Sequence, residues 1–202
     1  MLREVLPGAA ALEPTHVLSN GRYRVTLRAN GAGWSRWGNT GITRHRDDAL
    51  RDALGSFTTG IAVVTACAPD GSFVGLTINS FNSVSLQPPL VLWSLDLGSP
   101  SLEAFRTASH YAVNILAADQ MDLSQRFAMR LDDKFGDLQL CDGAGGAPLL
   151  HGCVAWFECA NEVQYPGGDH LIFVGRVERY AGDPERPPLV YHGGRYRTLS
   201  RD

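Results

Sequence analysis

From Asp48 onward the chain alternates short apolar runs with turn residues, at spacings that suit strands more often than helices. Asp48 to Ser56 is an exception, because Ala49, Leu50, Ala53 and Leu54 form a stripe at helical period and predict one short helix. Ile61 to Cys67 is apolar apart from Thr65 and reads as a buried strand. Pro69-Asp70-Gly71 then supplies a turn, since proline presets φ and glycine allows a positive one. Phe73 to Asn79 returns as the partner strand of a hairpin, and beyond Pro88-Pro89 comes the apolar run Leu90 to Trp93. Ser99-Pro100 is expected to open a helix, with the serine as N-cap and the proline at the first position. His110 to Leu116 reads as a strand, and Asp119 to Met129 as a second helix with Leu123 and Phe127 one turn apart. Cys153 to Val163 and His170 to Tyr180 predict a long hairpin around Tyr165-Pro166-Gly167-Gly168, and Val190 to Leu199 closes around Gly193-Gly194. Short strands joined by glycine turns, with few helices between them, argue for a mainly β antiparallel barrel rather than a doubly wound sheet.

The segment before Asp48 follows another pattern. Asn20-Gly21 and Asn30-Gly31 are turn dipeptides, and Arg22 to Arg28 alternates with Tyr23, Val25 and Leu27 on one face. Trp34 and Trp37 flank Arg36 in this glycine-rich text, which favours a β-hairpin over a helix. Such a hairpin is marginal alone in water, so it is expected to dock on the barrel or on a partner subunit. The organisation expected is therefore an N-terminal β extension over 1–47 and one barrel domain over 48–202.

Composition narrows the function classes. The 202 residues are 44% hydrophobic and 19% charged, with a formal net charge of −3. That balance leaves no electrostatic footprint for nucleic acid and no basic block for a membrane surface. No apolar run approaches the roughly 20 residues that span a bilayer, and MLREVLPGAAALEP lacks the unbroken apolar region of a signal peptide. Cys67, Cys141, Cys153 and Cys159 show no C-x-x-C spacing and read as reduced thiols, so a cytoplasmic protein is expected. The six histidines do not cluster at metal spacing, and no metal site is expected. Nucleotide fingerprints, a P-loop and a nucleophile elbow are all missing; Gly143-Ala144-Gly145-Gly146 reads as a loop.

The stretch GLTINSFNSVSLQPPLVLWSLDLGS, Gly75 to Ser99, concentrates short polar side chains. Many neutral donors beside glycine suit an anionic or heteroaromatic ligand; a serine-rich loop between two strands is the other reading. His170, in Gly168-Asp169-His170, sits at a turn corner, a poor place for a core histidine.

GLTINSFNSVSLQPPLVLWSL resembles the flavin reductase-like domain family, the small components of two-component flavin-dependent monooxygenases. SFTTGIAVVTA precedes it, and YAVNILAADQMDLSQRFA, DDKF, GGAPLL, GGDHLIFVGRV and PPLVYHGGRY follow in order. The resemblance implies a six-stranded split β-barrel that dimerises, with FMN or FAD at the subunit interface and NADH or NADPH as hydride donor. It assigns Thr77, Asn79 and Ser80 to the ribityl chain and ring edge. Ser83, Ser85, Ser99 and Ser101 become candidates for the phosphate, with Ser94 and Leu95 in the same binding segment. Phe127 and Phe135 are candidates for packing near the dimethylbenzene or adenine end; a helical aromatic is otherwise plain core. His170 falls where the family's G-D-H histidine meets the nicotinamide, and Arg195 and Tyr196 are candidates for the pyrophosphate or nicotinamide, or for a dimer contact. The expected activity is an NAD(P)H:flavin oxidoreductase that supplies reduced flavin to a partner monooxygenase. The alternatives are a reductase of a bulky substrate such as a corrin, a non-enzymatic flavin-carrying module, and a carbohydrate-binding fusion. The last arises because SNGRY, GWSRW and TRHRDD in residues 15 to 47 resemble part of the cyclic β-glucan synthase and glycoside phosphorylase families.

Overall fold

The computed structural model describes residues 2–7, 14–19, 23–28, 33–37 and 46–199. They fall into two compact units, Met1–Phe57 and Thr58–Asp202. In the first, β1 (Leu2–Pro7), β2 (Pro14–Ser19), β3 (Tyr23–Arg28) and β4 (Gly33–Trp37) form an antiparallel sheet in sequence order. β3 begins where the Tyr23/Val25/Leu27 alternation predicts it. The turn dipeptides Asn20-Gly21 and Asn30-Gly31, and the packing of Trp34 and Trp37, lie outside the described residues. Helix α1 (Arg46–Gly55) follows, and Leu50 and Leu54 of its apolar stripe are exposed.

The second unit is antiparallel β with two short helices. Its strands are β5 (Thr59–Gly60), β6 (Ala62–Cys67), β7 (Phe73–Ile78), β8 (Asn82–Leu86) and β9 (Pro89–Asp96), then helix α2 (Leu102–Thr107) and β10 (His110–Ile115). Helix α3 (Met121–Ala128) precedes β11 (Leu140–Asp142), β12 (Pro148–Leu150), β13 (Ala155–Gly167), β14 (His170–Gly182), β15 (Val190–His192) and β16 (Arg195–Arg197). The main sheet runs β7-β6-β10-β13-β14-β9-β8. It has seven strands, one more than the expected split barrel, because Asn82–Leu86 pairs with β9 as a separate edge strand. Among the described residues β7 and β8 are its two edges, and no hydrogen bonding there closes it into a barrel. The Gly143–Gly146 run is a 3₁₀ turn at Ala144–Gly146 between β11 and β12, so it is the loop that the sequence predicts.

Periodicity explains which faces are buried. Val91, Trp93 and Leu95 alternate inward on β9 and meet Tyr111, Val113, Phe173 and Phe105 in the main core. β6 is buried on both faces: Val64 and Ala66 join that core, while Val63 joins a second one with Leu116, Phe127 and Leu150. A strand covered twice has no solvent-facing side, which is why residues 61–67 are apolar except for Thr65, whose buried hydroxyl donates to the Pro148 carbonyl at 2.6 Å.

All four cysteines are free. Burial pushes the Cys153 and Cys159 thiols up to about 12, whereas Cys141 is exposed. Because the thiolate is the nucleophile, iodoacetamide at about pH 8 should modify Cys141 and spare Cys153 and Cys159 until the chain unfolds. Mass mapping of the native protein checks this; Cys159 reacting as fast as Cys141 would contradict the burial described.

Candidate functional site

The polar residues of the Thr77 to Ser101 stretch do not share one role. Thr77 donates its hydroxyl hydrogen bond to the Ser124 carbonyl at 2.6 Å, tying β7 to α3. On the same helix the Ser124 hydroxyl lies 3.0 Å from the Tyr196 hydroxyl, and Tyr196 packs edge-on against Tyr191 at 5.6 Å. Thr77, Ser124 and Tyr196 are thus one connected brace across the second core. Ser80 and Ser94 also meet: the Ser80 hydroxyl accepts from the Ser94 amide at 3.1 Å and donates to its carbonyl at 3.4 Å. Ser85 accepts from the Gln87 amide at 3.2 Å, which holds the turn into β9. Asn79 and Ser83 are exposed, with side chains that have no partner among the described residues.

Ser99 and Pro100 differ from expectation. Helix α2 starts at Leu102 with Ser101 as its N-cap, and Pro100 lies in the turn before it. The reason is local. The Asp96 side chain accepts from the Gly98 amide at 2.6 Å, the Asp96 carbonyl accepts from Ser99 N–H at 3.0 Å, and the Ser99 hydroxyl accepts from the Ser101 amide at 3.3 Å. These bonds make a tight turn out of the residues that would have begun the helix. Leu95 points into the main core, so only its backbone could serve a ligand. Phe127 is likewise core, edge-on to Phe135 at 5.0 Å.

Phe135 belongs to a cleft of about 670 Å³, lined by residues 72–75, 100–101 and 130–135. That volume lies within the range of small-ligand sites. Gly75 makes room here: a Cβ on it would stand 2.6 Å from the Phe127 ring and 3.0 Å from Phe135. Lys134 reaches across to donate to the Gly75 carbonyl at 3.2 Å and the Phe127 carbonyl at 3.0 Å, leaving one N–H of its ammonium unspent. Desolvation holds the Lys134 pKa below its ordinary value. Arg130, exposed at the same cleft, has no ion-pair partner among the described residues. The role of Lys134 and Gly75 here was not read from the sequence; a glycine inside a strand beside the DDKF run was the available signal.

His170 stands at the far corner of β9. It pairs with Asp96 across the β9–β14 ladder, and the Asp169 carbonyl accepts from Leu97 N–H at 2.9 Å. Gly168, with φ of 73°, is the first central residue of the two-residue turn that joins Gly167 to His170. The imidazole is 41% exposed, and its Nδ1 lies 2.7 Å from the Asp169 carboxylate, leaving Nε2 without a partner among the described residues. That hydrogen bond holds the Asp169 carboxyl below its ordinary range. A depressed acid contributes its stabilisation above the ordinary carboxylate pKa and loses it as pH falls through the lowered value, so Asp169 is ionised at neutral pH. Arg195 is exposed opposite His192 on β16, with no partner among the described residues.

Comparison with known proteins decides the family. The model of the flavin reductase like domain matches residues 54–200. The chain belongs to the flavin reductase-like domain family. Its reductase domain is similar to the FMN reductase (NADH) SmoA of Agrobacterium fabrum, with 46% identity over 76% of this chain and 86% of that one. The reductase component of the flavin-dependent trigonelline monooxygenase of Acinetobacter baylyi is 44% identical over 75% of this chain, which spans only 49% of that relative. Among solved structures, the Streptomyces globisporus NADH:FAD oxidoreductase SgcE6, in complex with NAD and FAD fragments, superposes with a TM-score of 0.74 at 36% identity, covering 81% of this chain and 99% of that one. A second model, the supersandwich domain of glycosyl hydrolase 94, matches residues 8–58 and agrees with the N-terminal resemblance.

Proposed function

We propose that this chain is an NAD(P)H:flavin reductase that binds FMN or FAD along the edge strand β7 and hands reduced flavin to a partner monooxygenase. One observation carries the siting. Side chains free to bind a ligand, Asn79, Ser101, Arg130 and the spare N–H of Lys134, border the open edge of the sheet, and the His170 corner is hydrogen-bonded to the turn leading to Ser101. A bound flavin supplies the ring that takes up hydride; the protein's work is binding and orientation. Asn79 and the Ser80–Ser94 pair offer neutral donors and acceptors to a ring edge, and the Ser99–Ser101 turn with the cleft cations suits phosphate. His170, held by Asp169, presents Nε2 to orient a nicotinamide, and hydride transfer asks no proton of it.

The sheet face carrying Leu92, Ile172, Val174, Val163 and Tyr165 has apolar side chains that are only half-buried or exposed, and we read it as the surface on which a second copy docks. Four free thiols suit a reducing compartment, and we place the protein in the cytoplasm. No helix among the described residues is long and apolar enough to cross a membrane.

Flavin titration tests the siting. Asn79→Ala and Ser80→Ala should each weaken FMN and FAD binding roughly 5- to 150-fold, the equivalent of about 1–3 kcal/mol per unpaired group. Unchanged dissociation constants in both folded variants would remove the flavin from this edge.

A further inference from the structure

We propose that Ser124 and Tyr196 are positioning residues: the hydroxyl pair they form fixes the strand that holds the flavin, and neither touches the ligand. The inference rests on the siting of the flavin along β7. Leu76 and Ile78 pack into the main core, so Thr77 between them faces the other way, toward α3. Its hydroxyl donates to the Ser124 carbonyl, two residues before Asn79 of the proposed ring edge. Ser124 is fully buried, and its own hydroxyl meets that of Tyr196 at 3.0 Å. Tyr196 is anchored in turn. It packs on Tyr191, which pairs with Thr59 across β5 and β15, and the neighbouring His192 ring lies 2.9 Å from the Thr58 hydroxyl. The C-terminal hairpin therefore holds α3, and α3 holds the flavin strand.

The chemistry of a buried helical serine makes this pair a control point. A serine hydroxyl without another partner bonds back to the carbonyl one turn earlier and bends its helix. For Ser124 that carbonyl belongs to Gln120 and already accepts the Ser124 amide at 3.0 Å. The Tyr196 hydroxyl offers a better partner, so α3 keeps its course and the Ser124 carbonyl stays on Thr77. Leaving a buried hydroxyl unpaired is the costly case, whereas removing both partners is nearly neutral. The two substitutions that break the pair should thus differ. Tyr196→Phe strands the buried serine, while Ser124→Ala leaves the orphan on Tyr196, which is only half-buried.

Calorimetric titration of FMN and FAD into these variants is the test. Tyr196→Phe should weaken both flavins about 5- to 10-fold and Ser124→Ala no more than about twofold, with the double variant returning to within about twofold of wild type. Thr77→Val should cost about 5- to 10-fold, Thr77→Ser should retain affinity, and Tyr196→Phe should add nothing in the Thr77→Val background. Equal losses from Tyr196→Phe in the Thr77 and Thr77→Val proteins overturn the inference. Full flavin affinity in Tyr196→Phe or in Thr77→Val overturns it as well. A raised apparent KM for NADH in Tyr196→Phe, with flavin affinity intact, makes Tyr196 a contact of the nicotinamide donor and overturns it too. Wild-type protein that binds neither flavin overturns the reductase reading and this inference with it.

Discussion

Trp93→Ala is expected to lower the free energy of unfolding by about 3–5 kcal/mol, a large share of the roughly 5–15 kcal/mol that holds a domain together. Trp93 is fully buried. It stacks on Phe173 at 4.4 Å with the rings 10° from parallel, and meets Phe105 at 5.1 Å and Tyr111 at 5.6 Å edge-on. These neighbours come from β14, α2 and β10, so the cavity left by alanine is walled by three elements that cannot all close on it. Trp93→Phe is the informative control. Among the described residues the buried indole Nε1 makes no well-formed hydrogen bond, its polar neighbour being the likewise unpaired Tyr111 hydroxyl, so phenylalanine gives up volume and that weak contact; a loss of about 1–2 kcal/mol is expected. Urea unfolding of the three proteins checks both values. A Trp93→Ala loss under about 1 kcal/mol would mean that this aromatic group is not the centre of the core.

The second large effect is on chemistry. His170→Ala should keep flavin affinity within about twofold while flavin reduction by NADH slows roughly 10- to 100-fold, or the apparent NADH affinity falls by as much. The residue is exposed at a corner, and among the described residues its ring bonds only to its neighbour Asp169, so removing it should disturb no core packing. His170→Gln, which keeps a polar group but not the ring held by Asp169, should recover part of the rate. Stopped-flow mixing under anaerobic conditions reads both effects. Wild-type kinetics at every NADH concentration would make His170 a structural corner residue.

Much of the β framework was legible because its signals are local. The run at 61–67, apolar but for Thr65, marks a strand buried on both faces, and Gly167-Gly168 marks the β13–β14 turn. The inward position of Leu95 was also there to be read, since Val91, Trp93 and Leu95 fall on one side of a strand by simple alternation. What could not be read depends on contacts distant in sequence. The Thr77 hydroxyl is occupied by a carbonyl 47 residues away, and the cleft gathers three segments separated by about 25 residues each. Lys134 gains its place only when β7 and the loop after α3 meet. The misplaced helix start at Ser99-Pro100 has a different origin: serine before proline satisfies both a helix N-cap and a tight turn, and the Asp96 side chain decides for the turn by taking the Gly98 amide.

The most direct test of the account is anaerobic mixing of the flavin-loaded, full-length protein with a small excess of NADH while flavin absorbance is followed. A reductase should bleach its flavin within seconds and consume one NADH per flavin reduced. Flavin that stays bound and keeps its absorbance for many minutes in excess NADH and NADPH would contradict that account and leave a flavin carrier in its place.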